Sequence, residues 1–179
     1  KLSPTQMPQL TLMTAVAISQ AIKQVINIQV KIKWPNDLMV ESKKIAGILT
    51  ETRAETDQIN FVVVGFGINV NAQASQILDT ASSLKMITEQ PVDRVQLLQE
   101  ILYSLEKWYT KVLKGNFVEV IKYAKLHSAT LKHKVRIQEG KGIVEGVAVD
   151  IDHDGGLFIR LENGKTIKKI AGEVLVMKK

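Results

Sequence analysis

Cysteine is absent from the 179 residues of this chain. That absence excludes a disulfide framework and thiol catalysis, and it favours a reducing compartment. No stretch reaches the roughly 18 consecutive apolar residues that a transmembrane helix needs, and the amino-terminal segment lacks the apolar region of a secretory signal peptide. The sequence therefore predicts a cytoplasmic globular protein that does not engage a membrane.

Known catalytic signatures are missing as well. The sequence has no Walker loop, no nucleophile elbow and no paired carboxylates, and its three histidines are scattered without metal-ligand spacing. No resident metal site is predicted. Basic residues outnumber acidic ones by 24 to 18, but they form no long run. Small anions or an acidic partner protein fit this charge better than nucleic acid does.

Hydrophobic spacing divides the chain into two parts. In residues 1–130 it predicts helices over 8–27, 92–115 and 117–126, and strands joined by short turns within 28–71. Short turns between adjacent strands favour an antiparallel sheet. Trp108 is expected in the core, and the second helix carries an apolar stripe that we expect to be its buried face: Val95, Leu98, Leu102, Leu105, Tyr109 and Val112.

Residues 131–179 have a different texture. Short apolar segments alternate with glycine turns, in which Gly155 and Gly164 occupy positions that often require a positive φ. Five short strands in so few residues predict a small barrel of SH3 type.

Two adjacent lysines precede an apolar segment. Lys43 and Lys44 lie in a predicted strand, so their side chains point to opposite faces and only one can enter a given site. Residues 45–49 are all apolar or small, which predicts a strand covered on both faces. A lysine buried there requires an anion such as a phosphate or a carboxylate, whereas at the strand mouth both lysines are solvated. Spacing alone leaves both alternatives open.

The preceding turn, Trp34-Pro35-Asn36-Asp37, also has two interpretations. Proline and asparagine at these positions are typical of a tight turn that ends a strand, with the tryptophan packed beneath it. Alternatively, the Asp37 carboxylate faces a cationic partner.

Glycines interrupt the strand predicted within VVVGFGINVN, residues 62–71. Gly65, Gly67 and Asn69 share one face, and Gly47 can lie beside them on a neighbouring strand. Together they predict a slot for a flat ligand, with the Asn69 amide available to a purine edge. A bulge or tight packing of the sheet against a helix explains the glycines equally well from the sequence alone.

Four motifs occur in order: KWPNDL (33–38), KKIAGILTE (43–51), VVVGFGINVN (62–71) and ASSL (81–84). In this combination they resemble the biotin–protein ligases, and residues 145–174 are similar to the SH3-like domain that ends such ligases. The resemblance implies an α+β fold, in which a mixed, largely antiparallel sheet with helices on one side is followed by a small SH3-like β-barrel. The first sheet is expected to be an incomplete version of the class II synthetase type. The implied domains are a partial catalytic domain (1–130) and an SH3-like domain (131–179).

The resemblance also implies a reaction. Biotin and ATP, with Mg2+, give biotinyl-5′-AMP, and a lysine of a biotin carboxyl carrier protein then attacks the acyl group. Lys44 would contact the biotin carboxylate and the α-phosphate, Asp37 would orient the acceptor lysine, and Asn69 would meet the adenine. The slot for biotin and the adenylate would be lined by Gly47, Leu49, Gly65 and Gly67.

One family feature is absent. The basic GRGRxGR loop that precedes this region in such ligases does not occur, so we expect the chain to begin partway through the catalytic domain and to show little activity alone. The alternatives are a non-catalytic fragment or carrier-binding module, and a relative of the lipoate–protein ligases. Homodimerisation is left open.

Overall fold

The computed structural model describes residues 7–55, 58–139 and 142–177. None of the helices within these ranges is long and apolar enough to cross a membrane. The helices and strands are, in chain order, α1 Met7–Ile26, β1 Lys31–Lys33, β2 Asp37–Val40, β3 Lys43–Glu55, β4 Gln58–Ile68, α2 Leu84–Thr88, α3 Arg94–Leu113, α4 Phe117–Leu126, β5 Lys134–Glu139, β6 Gly142–Ile151, β7 Leu157–Arg160, β8 Thr166–Lys169 and β9 Glu173–Val176.

The first sheet has the order β1-β2-β3-β4, and all of its ladders are antiparallel. Parallel pairing is confined, in the described residues, to two isolated bridges, Ile32 with Ser128 and Lys44 with Ala81. Helix α1 packs against β1, β2 and β3. On β4, the even-numbered residues from Val62 to Ile68 pack against the core, and the odd-numbered ones are exposed. The expected α+β fold with helices on one side of the sheet is confirmed.

The second sheet has the order β8-β7-β6-β5-β9 and is antiparallel throughout. Its terminal strands β8 and β9 lie at opposite edges, and the described part of the chain contains no ladder between them. The five short strands predicted from the sequence are confirmed, but within the described residues no ladder closes them into a barrel, because β5 pairs with β6 and β9 while β8 pairs with β7. The positive φ angles predicted for Gly155 (+87°) and Gly164 (+80°) are confirmed.

The core of the first part forms around α1, where Ala15 to Ile18 are fully buried. Helix α3 packs against α1. Its buried face consists of Leu97, Ile101, Ser104, Trp108 and Val112. Trp108 is buried as predicted, and its indole N–H donates to Oε1 of Gln20 at 2.9 Å.

The stripe predicted to be the buried face of α3 is wrong. Most of its members are exposed, namely Val95, Leu98, Leu102 and Tyr109. The helix carries apolar residues on two neighbouring faces, and its packing on α1 selects the one that contains Trp108.

The proposed division of the chain after residue 130 falls in the connection between α4 and β5. It stays a prediction.

Candidate active site

Three neighbouring strands place one carboxylate and two glycines in a row. Asp37 pairs with Gly47 across β2 and β3, and Gly47 pairs with Gly67 across β3 and β4. Residues paired in antiparallel strands project to the same face. Leu49 and Gly65 form the next pair on that face, two residues along. We call this surface, which lies away from α1, the glycine face.

A β-bulge brings Lys44 onto the glycine face. Lys44 and Gly47 are three residues apart, so a regular strand would place them on opposite faces. The register of β2 against β3 slips at this point and leaves Ile45 without a partner in β2. As a result, a Cβ added to Gly47 would lie only 3.0 Å from Nζ of Lys44. Lys43 is exposed at the start of β3.

Asp37 contacts two ammonium groups. Its Oδ1 lies 2.5 Å from Nζ of Lys44, and its Oδ2 lies 3.3 Å from Nζ of Lys33. The Asp37 side chain is 15% exposed and that of Lys44 is 47% exposed, so the carboxylate is held in the protein while the ammonium reaches solvent. Two cations against one carboxylate leave a net positive charge, which suits an incoming anion.

Lys33 was missed by the sequence analysis. The signal that points to it is the hairpin register, in which Lys33 pairs directly with Asp37 across β1 and β2.

The ASSL segment closes one end of the glycine face. The Lys44 amide donates to the Thr80 carbonyl at 3.1 Å, and the Ser82 amide donates to the Lys44 carbonyl at 2.9 Å. The Nδ2 of Asn69 donates to the Ser82 carbonyl at 3.1 Å. The segment thus links Asn69 to Lys44. Asn69 is the residue predicted to contact the adenine, and one of the two N–H groups of its side-chain amide is already hydrogen-bonded.

The glycines of β4 leave empty space above the sheet. Neither Gly65 nor Gly67 has a positive φ, and the ladder between β3 and β4 is regular at both. Among the described residues, a Cβ at Gly67 would meet no atom within 4 Å, and one at Gly65 would meet only the Leu49 carbonyl at 3.8 Å. In the part of the chain that the structure describes, neither a bulge nor helix packing accounts for these glycines, and the space above them is open.

The glycine face is exposed, whereas the apolar residues 45–49 predicted a strand covered on both faces. Leu49 on β3 is 60% exposed, and Phe61 and Val63 on β4 are about half exposed, at 52% and 50%. The expectation that β3 is buried on both faces is wrong, since in the described residues only the side that carries Ile45 and Ile48 is buried.

A cavity of about 590 Å³ lies between β4 and α3. It is lined by Phe66, Ile68, Asn69, Leu97 and Leu98 among others, and neither Lys44 nor Asp37 reaches it. The charged cluster therefore belongs to the open face of the sheet rather than to this cavity.

A second group of charged residues lies in the turn between β6 and β7. Asp152, His153 and Asp154 form the group of metal-binding residue types found in the described ranges. Nζ of Lys168 lies 2.5 Å from Asp152 and 3.2 Å from Asp154, so an ammonium occupies the place a cation would take. Burial acts to raise the pKa of Asp152, but the hydrogen bonds from Lys168 and from the amides of Gly156 and Asp154 hold it below the ordinary value of 3.8.

We expect this turn to persist below the ordinary pH of carboxylate protonation. Because the folded pKa of Asp152 is lowered, its stabilising contribution is present above 3.8 and is lost as the pH falls through the lower folded value. The Gly156 amide donates to Asp152 Oδ1, so its proton chemical shift should titrate with a midpoint below 3.8. Lys168→Met should move that midpoint upward. A midpoint at or above 3.8 in the unmodified protein would contradict the assignment.

Two family models match the chain. Residues 1–69 match the biotin/lipoate A/B protein ligase family, and residues 133–177 match the biotin protein ligase C-terminal domain.

The chain has curated relatives of about twice its length. It is 38% identical over 167 residues to the bifunctional ligase/repressor BirA of Bacillus subtilis, an alignment that covers 91% of this chain and 51% of the relative. It is 32% identical over 145 residues to the biotin–[acetyl-CoA-carboxylase] ligase of Mycobacterium tuberculosis, which covers 80% of this chain and 52% of the relative. The chain thus spans about half the length of these proteins.

The fold is also shared with solved structures. The biotin protein ligase of Aquifex aeolicus superposes with a TM-score of 0.84 at 28% identity, over 99% of this chain and 79% of that one. Its complex with biotin and ATP matches with a TM-score of 0.83. Together, the motifs, the matched models and the common fold show that the chain belongs to the biotin/lipoate A/B protein ligase family.

Proposed function

We propose that the protein that contains this chain is a biotin–protein ligase of the cytoplasm. It activates biotin with MgATP to biotinyl-5′-AMP and transfers biotin to a lysine of a biotin carboxyl carrier protein. The observation that carries the proposal is the Lys44 ammonium, which a bulge places at the edge of an open glycine face and which Asp37 holds there. The similar ligases of Mycobacterium tuberculosis and Aquifex aeolicus, the first named for acetyl-CoA carboxylase and the second solved with biotin and ATP, support these ligands and this target.

In the first step, a biotin carboxylate oxygen attacks the α-phosphorus of ATP, and pyrophosphate leaves. Negative charge gathers on the α-phosphate and acyl oxygens. The half-exposed Lys44 can turn from Asp37 towards these oxygens, where a fixed cation lowers the barrier. Lys33 stays on Oδ2 of Asp37, so the carboxylate keeps one cationic partner when Lys44 moves.

In the second step, the amine of the acceptor lysine attacks the acyl carbon of biotinyl-AMP, and AMP leaves. Asp37 Oδ1 lies beside the slot, 3.7 Å from the place a Gly47 side chain would fill. Once Lys44 has moved to the ligand, Oδ1 accepts a hydrogen bond from the incoming amine and directs it to the acyl carbon. The absence of side chains at Gly47, Gly65 and Gly67 leaves room for the adenylate.

Mg2+ enters in this proposal as part of the substrate MgATP. Magnesium commonly binds phosphate oxygens and waters together with only one or two carboxylates. In the described ranges, Asp37 keeps Lys33 as a cationic partner when Lys44 moves, and the Asp152 turn is filled by Lys168.

The test is the formation of an acyl-adenylate from labelled ATP by the intact protein, meaning the longest natural chain that carries these residues. Biotin and lipoate are supplied in parallel, because the matched family model covers ligases of both. We expect an adenylate with biotin and none with lipoate. An adenylate with lipoate alone would assign a lipoate ligase, and none with either acid would favour a non-catalytic carrier-binding module.

A further inference from the structure

The turn between β6 and β7 is held by hydrogen bonds within it and by an ion pair with Lys168 of the same sheet. Asp152 Oδ1 accepts from the amides of Asp154 and Gly156 at 3.0 and 2.8 Å, and Lys168 bonds the other carboxylate oxygen. The Lys168 side chain lies directly over Gly156, where an added Cβ would come within 2.5 Å of Cε. These three bonds and this contact hold the turn in place, with the Gly155 carbonyl facing Trp34.

The Gly155 carbonyl is hydrogen-bonded to a residue of the first part of the chain. The indole Nε1 of Trp34 donates to the Gly155 oxygen at 2.8 Å. A Cβ at Gly155 would lie 3.7 Å from the Pro8 carbonyl and 3.8 Å from Cδ2 of Leu12, so the turn also packs against the start of α1. Trp34 itself is 2% exposed. A buried N–H of this kind needs its acceptor, because an unsatisfied one is costly.

The position of Trp34 in the sequence gives the contact its significance. It follows Lys33 directly and begins the turn that ends in Asp37, and Lys33 and Asp37 share an ion pair. Its backbone N–H donates to Oγ1 of Thr130 at 2.9 Å, and Thr130 is fully buried in the connection to the second sheet. Both the backbone and the side chain of Trp34 are therefore fixed by residues that follow α4.

We infer that Trp34 is a positioning residue that couples the Asp152–Gly156 turn to the cluster of Lys33, Asp37 and Lys44. The second sheet thereby helps to hold the carboxylate against Lys44. Its consequence for the reaction rests on the ligase function proposed above, whereas the mechanical coupling does not. Such a coupling is demonstrated if a substitution at the turn changes the cluster when the Trp34–Gly155 hydrogen bond is present and does not change it when that bond is removed.

The coupling is tested by 15N NMR on four forms of the intact protein. These are Lys168→Met, Trp34→Phe, the double variant, and Lys125→Met as a matched control. Lys125 pairs with Asp150 at 2.6 Å, so the control also removes one lysine from an ion pair that joins a helix to the second sheet. Phenylalanine keeps an aromatic ring at position 34 and removes only the N–H donor.

We expect Lys168→Met to shift the indole resonance of Trp34 and the amide resonances of Asp37 and Lys44. In the Trp34→Phe background, the same substitution should no longer shift these two amide resonances. Lys125→Met should leave them unchanged. The inference is overturned if the shifts of Lys168→Met stop at the turn, if they persist without the indole N–H, or if the control produces them too.

The catalytic arm measures biotinyl-AMP formation by the same proteins. Trp34→Phe should lower kcat about tenfold with KM for ATP little changed, and Lys168→Met added to it should lower kcat no further. An unchanged kcat in Trp34→Phe would overturn the positioning role. If the unmodified protein forms no adenylate, the proposed function fails, while the NMR result still decides the coupling.

Discussion

Lys44→Ala is expected to lower the rate of biotinyl-AMP formation by about two to three orders of magnitude, the usual loss when one group that stabilises developing negative charge is removed. Lys43→Ala should change the rate less than about twofold, because exposed lysines contribute little. The difference arises from the bulge at Ile45, which turns Lys44 and not Lys43 onto the glycine face. Single-turnover formation of the adenylate by the intact protein measures both.

Lys43→Ala serves as the matched control for Lys44→Ala. Each removes one lysine from the same end of β3, so net charge and strand composition change identically. The loss for Lys44→Ala should fall on kcat, since its ammonium acts on charge that develops during the reaction. Equal losses in the two variants, or a rise in KM for biotin at constant kcat, would contradict the assigned role.

Gly67→Ala is expected to weaken the binding of biotinyl-AMP by at least about tenfold without destabilising the fold. The added methyl group meets no atom of the described residues within 4 Å, and replacing glycine where its conformation is unstrained raises the free energy of unfolding by about 0.4–1 kcal/mol. The melting temperature should therefore stay or rise. Calorimetric titration with a non-hydrolysable analogue of biotinyl-AMP measures the affinity.

Gly146→Ala is the matched control for this prediction. A Cβ there would lie 2.5 Å from the Arg160 carbonyl and 2.7 Å from Cγ2 of Ile159, far inside contact distance. It should lower the melting temperature and leave the affinity of the folded protein unchanged. If Gly67→Ala behaves in the same way, or binds the analogue as tightly as the unmodified protein, the glycine face is not the ligand site.

Much of the first sheet could be predicted from its sequence. The apolar spacing and the glycine interruptions placed β3, β4 and the shared face of Gly65 and Gly67, because alternation in a regular strand depends only on residue parity. The same rule could not choose between Lys43 and Lys44. A bulge reverses parity, and whether one forms depends on how β2 and β3 pair.

Other features depended on tertiary packing. Helix α3 is apolar on two faces, so periodicity alone could not decide which one α1 covers. The Trp34–Gly155 contact joins residues 121 positions apart, and no local pattern announces it. Lys33 became visible only through its pairing with Asp37 across the hairpin.

The most direct test of the central claim is calorimetric titration of the intact protein and its Lys44→Ala variant with the non-hydrolysable biotinyl-AMP analogue. If the adenylate lies on the glycine face beside Lys44, the unmodified protein binds it and the variant binds it about a hundredfold more weakly, since a charge-assisted contact is lost. Equal affinity in the two proteins would place the adenylate elsewhere and contradict the account.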